Sequence, residues 1–160
     1  MTTQLPEIPT EIKTERLLLR MPRSGDGQVV NAAIHASLDE LKPWLGFVQE
    51  EPSPQDTDEF IGITGFHSIE WDVPKMEVGY WLDSRAAGKG YVAEAVSALA
   101  ELAFSTLGCK RLEIQCDAEN LKSRAVPEKL GFVLEGVLHN DERSVDGKRL
   151  TDTCIYAKFI

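Results

Sequence analysis

Leu82-Asp83-Ser84-Arg85-Ala86-Ala87-Gly88-Lys89-Gly90-Tyr91 is the stretch whose reading decides the fold. Just before it, Met76, Val78, Tyr80 and Leu82 alternate with Glu77 and Trp81, the two-residue period of a strand. Just after it, Val92, Val96, Leu99, Leu102, Phe104 and Leu107 keep a helical period from about Tyr91 to Leu107, and Gly108 is placed to end that helix. A strand, a glycine-containing loop and a helix therefore follow one another. The first turn of a helix offers amide groups with no internal acceptor, and the helix dipole adds about half a positive charge there. Gly88 and Gly90 let an anion approach those amides, so the loop reads as an anion site. Lys89 opposes the dipole, a conflict that a bound anion would remove. The competing reading is a flexible loop of solvated charges.

The loop is not a Walker motif, because Lys89 is followed by Gly90 and Tyr91 rather than by a hydroxyl residue. It is not the dinucleotide fingerprint either, because Ala93 stands where a third glycine is required.

Outward from the loop, Arg16 to Arg20 reads as a first strand, and Gln28 to Leu38 as a helix with Val30, Ile34 and Leu38 on one face. Residues 43–54 read as a loop that packs through Trp44 and Phe47, and Asp56 begins a helix that stops almost at once. Phe60 to His67 and Met76 to Leu82 form a hairpin around the turn Asp72-Val-Pro-Lys75. Arg111 to Cys116 is a strand and Ser123 to Leu130 a short helix ending at Gly131. Phe132–Leu138 and Asp152–Phe159 are two strands joined through Asp146-Gly147.

The whole chain fits one domain over residues 1–160, with 1–13 as a leader. It carries 17 basic and 26 acidic side chains, a net charge of −9, which disfavours nucleic acid and weakly favours a cationic partner such as an amine. No apolar run reaches about 18 residues, and the N-terminus lacks a secretory pattern, so no membrane association is expected. Cys109, Cys116 and Cys154 show neither a disulfide framework nor zinc spacing, so no metal is expected and a cytoplasmic location is.

Three blocks resemble the GNAT superfamily of N-acetyltransferases. Arg85-Ala-Ala-Gly88-Lys-Gly90 matches its [RQ]-x-x-G-x-[GA] signature. Asn120-Leu-Lys-Ser123-Arg-Ala-Val-Pro-Glu-Lys-Leu-Gly-Phe132 matches the block after its fifth strand. Glu77-Val-Gly-Tyr-Trp-Leu82 matches a strand of the branch that contains the ribosomal-protein N-terminal acetyltransferases. The resemblance implies a mixed α/β fold, a twisted sheet whose two central strands splay apart, with acetyl-CoA in the gap. It implies that amides from Ala87 to Tyr91, with Arg85, Gly88, Lys89 and Gly90 in the loop, hold the pyrophosphate. The pantetheine arm would pair with the strand ending at Trp81 and Leu82, and Asn120 would contact the arm. The acceptor would be a primary amine, on a protein N-terminus or a small molecule, and the branch makes a homodimer an option.

The resemblance also implies a longer middle. Relatives of this branch carry a longer second helix and a further strand where Asp56-Thr-Asp-Glu59 here runs straight into Phe60-Ile-Gly-Ile-Thr-Gly65, about twenty to thirty residues fewer by the lengths such elements need. A deletion and a segment left out of the sequence near residues 59–60 are both open. Either touches the acceptor side.

Direct transfer needs a deprotonated amine, a polarised carbonyl and a proton for the thiolate. A backbone N–H near Trp81 would polarise the carbonyl. Ser123 matches the serine that supplies the thiolate proton in the branch, and a helix cap is its other reading. Glu77 is the candidate base, with Glu113 as its rival and a solvated strand carboxylate as the alternative to both. His35, His67 and His139 stand singly and receive no role. A non-catalytic acyl-CoA-binding domain and a phosphate-ligand enzyme of another class remain the competing functions.

Overall fold

The alternating segments assemble into one five-stranded sheet, described by a computed structural model over residues 6–45 and 59–160. The chain runs β1 (Glu11–Lys13), β2 (Leu18–Arg20), α1 (Asp26–Ala36), α2 (Leu38–Leu41), β3 (Gly62–Glu70), β4 (Lys75–Leu82), α3 (Tyr91–Glu101), β5 (Arg111–Asp117), α4 (Leu121–Lys129), β6 (Val133–Arg143) and β7 (Leu150–Phe159). The strand order is β3-β4-β5-β7-β6, and β1 pairs separately with β2. Residues 11–13, read from the sequence as the end of a leader, are thus a strand held against Leu18–Arg20. The expected loop around Phe47, the helix start at Asp56 and the short junction fall wholly or partly outside the described residues.

Among the described residues β4 and β5 are the only parallel neighbours in the sheet, and they pair over just three positions, Lys75↔Arg111, Met76↔Leu112 and Glu77↔Glu113. Beyond Glu77 the two strands part. β4 stays registered on β3 as far as Leu82, and β5 stays registered on β7 as far as Asp117. The expected splay is therefore present, and each strand is supported on its outer side while its inner edge is open.

The two faces of β4 have different neighbours. Met76 and Val78 are buried with Val96, Leu99, Ala103, Leu112, Ile114, Cys154 and Tyr156, a core that joins the sheet to α3. Trp81, on the other face, packs against a smaller cluster of Ile34 and Leu41 from α1 and α2, and its ring lies 5.7 Å from that of Phe60. The helix after the loop ends more loosely than its periodicity predicts. Regular α-helix stops at Glu101 and a π-helical turn runs from Leu102 to Thr106, closed by Gly108 at φ +72°.

Leu112 is fully buried in the middle of the three β4–β5 pairs, one residue before the strands part. Leu112→Ala is expected to lower unfolding free energy by about 2–5 kcal/mol, read as a lower denaturation midpoint in urea.

Candidate active site

The open inner edges of β4 and β5 define the site. Asp83 N–H donates to Ile61 O at 2.8 Å, which makes that residue pair a hydrogen-bonded one. Stepping back by twos along the register, Trp81 and Gly79 also turn their backbone groups toward β3. Tyr80 and Leu82 therefore point N–H and C=O into the gap, and Val78 points its C=O there. The same reasoning from Ala118 N–H to Asp152 O, 2.8 Å, turns Gln115 and the Asp117 N–H of β5 toward the gap, while the Asp117 carbonyl accepts the Asn120 N–H at 3.0 Å. An extended ligand chain can bond to such an edge as an added strand. This corrects the expectation for Trp81. Its own amide serves β3 and its ring walls the α1–α2 face, while the gap-facing amides beside it are those of Tyr80 and Leu82.

At the wide end of the gap stands the glycine loop. Gly88 and Gly90 both have positive φ, +76° and +81°, and a side chain at Gly88 would meet nothing within 4 Å. Gly90 occupies the N-cap of α3 and supplies no side-chain cap. The amides of Gly88, Lys89, Gly90 and Tyr91 have no acceptor among the described residues. Ala87 differs, since its N–H donates to Ser84 O at 3.1 Å.

The loop is anchored from two sides. Asp83 is buried, and its carboxylate accepts from the Arg85 amide at 2.9 Å and pairs with the Arg85 guanidinium. The fully buried Ser37 Oγ, at the end of α1, accepts the Ser84 N–H at 2.7 Å. Arg85 is thus committed first to Asp83, although its side chain stays two-thirds exposed. On the other side, Glu94 in the first turn of α3 accepts from Thr14 Oγ1 at 2.5 Å and from Arg16 Nε at 2.7 Å, and Arg16 Nη1 donates to Lys89 O at 2.9 Å. Arg16 also lies 4.7 Å from the Tyr91 ring centroid, with Lys89 Nζ at 6.0 Å. Lys89 is exposed, and Glu94 already complements the helix dipole, so the conflict read from Lys89 alone is weaker than it looked.

Across the gap, α4 begins with Asn120, whose side chain accepts the Ser123 N–H at 3.1 Å. The cap is therefore Asn120 and not Ser123, which lies in the helix. Pro127 has no N–H to give to the carbonyl four residues earlier, that of Ser123. Tyr80 of β4 takes that place, its hydroxyl donating to Ser123 O at 2.8 Å. Ser123 Oγ in turn reaches Tyr80 Oη at 3.4 Å. Burial pushes the Tyr80 phenol well above its usual value, and pushes the neighbouring Cys116 thiol up to about 11. Both are therefore held protonated near neutrality, and Cys116 is a poor nucleophile.

The two candidate bases have different surroundings. Glu113 accepts from Arg111 Nε at 2.5 Å and its side chain is 13% exposed. Arg111 also holds Glu135 at 2.6 Å, so Glu113 belongs to a structural ion network. The Glu77 carboxylate has no hydrogen-bond or ion-pair partner among the described residues and stands at the last paired position before the strands part. The sequence did not point to Tyr80, Asp83, Arg16 or Glu94. Pro127, four residues after Ser123, is the one local sign that the Ser123 carbonyl needs an outside donor.

Comparison with known proteins bears on this geometry. Residues 15–133 match the acetyltransferase (GNAT) domain. An uncharacterized N-acetyltransferase of Bacillus licheniformis is 34% identical over 64% of this chain and 57% of its own length. The ribosomal-protein-serine acetyltransferase of Escherichia coli is 35% identical over 64% and 56%. The chain thus aligns with just over half the length of these relatives. The crystal structure of a microcin C7 self-immunity acetyltransferase in complex with acetyl-CoA and AMP superposes with a TM-score of 0.80, covering 96% of this chain and 98% of that one at 25% identity.

The Asp83 anchor carries a pH signature. Hydrogen bonding and charge from Arg85 hold its carboxyl below the usual value. A depressed folded-state value stabilises above the unfolded one, about 3.9, and that stabilisation is lost as pH falls through the folded value. Asp83→Asn is expected to lower stability by about 1–3 kcal/mol near neutrality. The difference from the parent should narrow below about pH 4, in denaturation series run from pH 7 downward.

Proposed function

The chain belongs to the acetyltransferase (GNAT) family, and from that premise we propose that it is an acetyl-CoA-dependent N-acetyltransferase acting by direct transfer to a primary amine. The observation that carries this reading is the parting of β4 from β5 after Glu77↔Glu113, with uncapped amides at the wide end. One open strand edge and one open helix terminus, in line, suit a ligand with an amide-bearing arm and a pyrophosphate. The residues present fit that donor: Gly88 leaves the space above the loop clear, and Val78, Tyr80 and Leu82 offer backbone partners along the edge.

In this reading the amides of Gly88, Lys89, Gly90 and Tyr91 hold the pyrophosphate, and Ala87 and Arg85 shape the loop. Gap-facing amides of β4 polarise the thioester carbonyl. Ser123 passes a proton to the departing thiolate, with Tyr80 fixing its position through the Ser123 carbonyl. The Asn120 Nδ2 group, left over from capping, faces the arm. Glu77 orders the acceptor ammonium on the far face of β4. The negative net charge favours a cationic acceptor. A protein N-terminal amine is the first acceptor class to test, on the likeness to a relative named for ribosomal-protein serine acetylation. A cytoplasmic location and a homodimer travel with this proposal. The three free cysteines accord with a reducing compartment.

Calorimetric titration with acetyl-CoA is the direct test. Micromolar binding is expected for the parent chain and its loss for Gly88→Glu, with Gly88→Ala as the control for backbone strain at positive φ. Thiol release from acetyl-CoA in the presence of a peptide with a free N-terminal serine separates an enzyme from a domain that only binds. Ser123→Ala should lower kcat by about tenfold or more with acetyl-CoA affinity unchanged, and an unchanged kcat would remove the proton-donor role.

A further inference from the structure

We propose that His67 is the general base that takes the proton from the acceptor amine. The inference rests on the N-acetyltransferase reading above and adds to it a residue that sequence reasoning set aside. His67 lies at a break in the β3–β4 register, between the pairs Phe66↔Val78 and Ser68↔Glu77. A bulge of this kind leaves one residue unpaired and re-aims its side chain. Here it brings the imidazole over Gly79 of the neighbouring strand. A Cβ built on Gly79 would sit 1.8 Å from His67 Nε2 and 2.1 Å from Cδ2. No other residue type at position 79 leaves room for the ring, so Gly79 is the seat of His67.

The seat has a defined place in the site. A Gly79 Cβ would project on the face of β4 that carries Glu77 and Trp81. The opposite face is closed by the core against α3. Gly79 lies between Val78 and Tyr80, the two residues whose backbone groups face the gap just past the point of parting. An acceptor must reach the carbonyl from the side that α3 does not cover, which is the side on which His67 stands. The imidazole is exposed and has no hydrogen-bond partner among the described residues. On its own face the nearest charged group along β4 is Glu77, with Glu113 of β5 opposite it and tied to Arg111. On β3 its polar neighbours in sequence are Ser68 and, further along, Glu70, which is paired with Lys75 at 3.0 Å. An imidazole with no hydrogen-bond partner among the described residues keeps a ring nitrogen available to accept an ammonium proton.

The step balances. The acceptor ammonium gives one proton to His67 Nε2, and the freed nitrogen lone pair forms the N–C bond to the thioester carbonyl. The tetrahedral species collapses with cleavage of the C–S bond, and the electron pair leaves on sulfur. The second nitrogen proton reaches the thiolate through Ser123, and His67 returns its proton to solvent.

The test is the pH–rate profile of thiol release with acetyl-CoA and an N-terminal-serine peptide, for the parent, His67→Gln and Gly79→Ala. His67→Gln is expected to lose about 100-fold or more in kcat/KM for the peptide and to lose the acid limb of the profile. Its acetyl-CoA affinity by calorimetry should match the parent. Gly79→Ala, whose methyl group takes the ring's seat, should reproduce the loss with the acid limb displaced. A His67→Gln variant with kcat/KM within threefold of the parent, or with the parent's acid limb intact, overturns the assignment and leaves the transferase reading standing. A parent chain that binds acetyl-CoA but releases no thiol with serine peptides or with a polyamine overturns both.

Discussion

β4 and β5 are parallel neighbours for three residue pairs and no further. Nearly every feature of the site follows from that limit. A parallel pair that stopped nowhere would satisfy the inner edges of both strands and leave no place for an extended ligand. By parting after Glu77↔Glu113, the sheet exposes the Val78 carbonyl and the backbone groups of Tyr80 and Leu82 on one side and those of Gln115 on the other. Such groups are costly to leave without partners, so an open inner edge in the middle of a sheet is itself a sign that something is meant to fill it. What keeps the gap from closing is support from outside. β3 holds β4 to Leu82, β7 holds β5 to Asp117, and Leu112, fully buried, fixes the apex.

One tether crosses the gap without closing it, and a second set of bonds holds the loop beside it. The tether is the Tyr80 hydroxyl on the Ser123 carbonyl, which exists because Pro127 cannot donate there. A proline that would simply weaken a helix elsewhere instead creates an acceptor that docks α4 onto β4. The second set runs through the loop. Buried Asp83 and Ser37 pin one end to α1, and Glu94 with Thr14 and Arg16 pins the other to the first strands. Between these anchors the amides of residues 88–91 are held in place yet have no acceptor among the described residues, the combination an anion site needs.

The sequence made the strand–loop–helix unit legible because each part has a local cause: alternation before Leu82, glycines at 88 and 90, and a helical period after Tyr91. The same holds for Gly108, Gly131 and Gly147, all at positive φ where terminators or a turn were expected. What stayed hidden depends on register. That Trp81 turns its amide to β3, while Tyr80 and Leu82 turn theirs to the gap, is decided by which pair along β3 and β4 is the hydrogen-bonded one. No pattern within β4 alone carries that information. Asn120 displaced Ser123 as the cap because the helix begins at Leu121, two residues before the expected start at Ser123, and caps are set by backbone geometry.

His67 is the sharpest case of this limit. In the sequence it is one of three scattered histidines, and Gly79 is one glycine in a strand, where glycine is ordinarily a weakness. Only the bulge brings them together, because one unpaired residue in β3 turns the imidazole from its own strand onto the next. Glycine at 79 then stops being a packing defect and becomes the condition for a side chain to lie there. Glycine in a strand marks close approach by something, and in β4 the thing that approaches is the ring of His67. The two neighbours of Gly79 serve the donor side with their backbones, while Gly79 itself yields its side-chain space to the acceptor side. One three-residue stretch, Val78-Gly79-Tyr80, thereby faces both substrates of the proposed reaction, and it does so because the backbone groups and side-chain positions of a strand point in perpendicular directions.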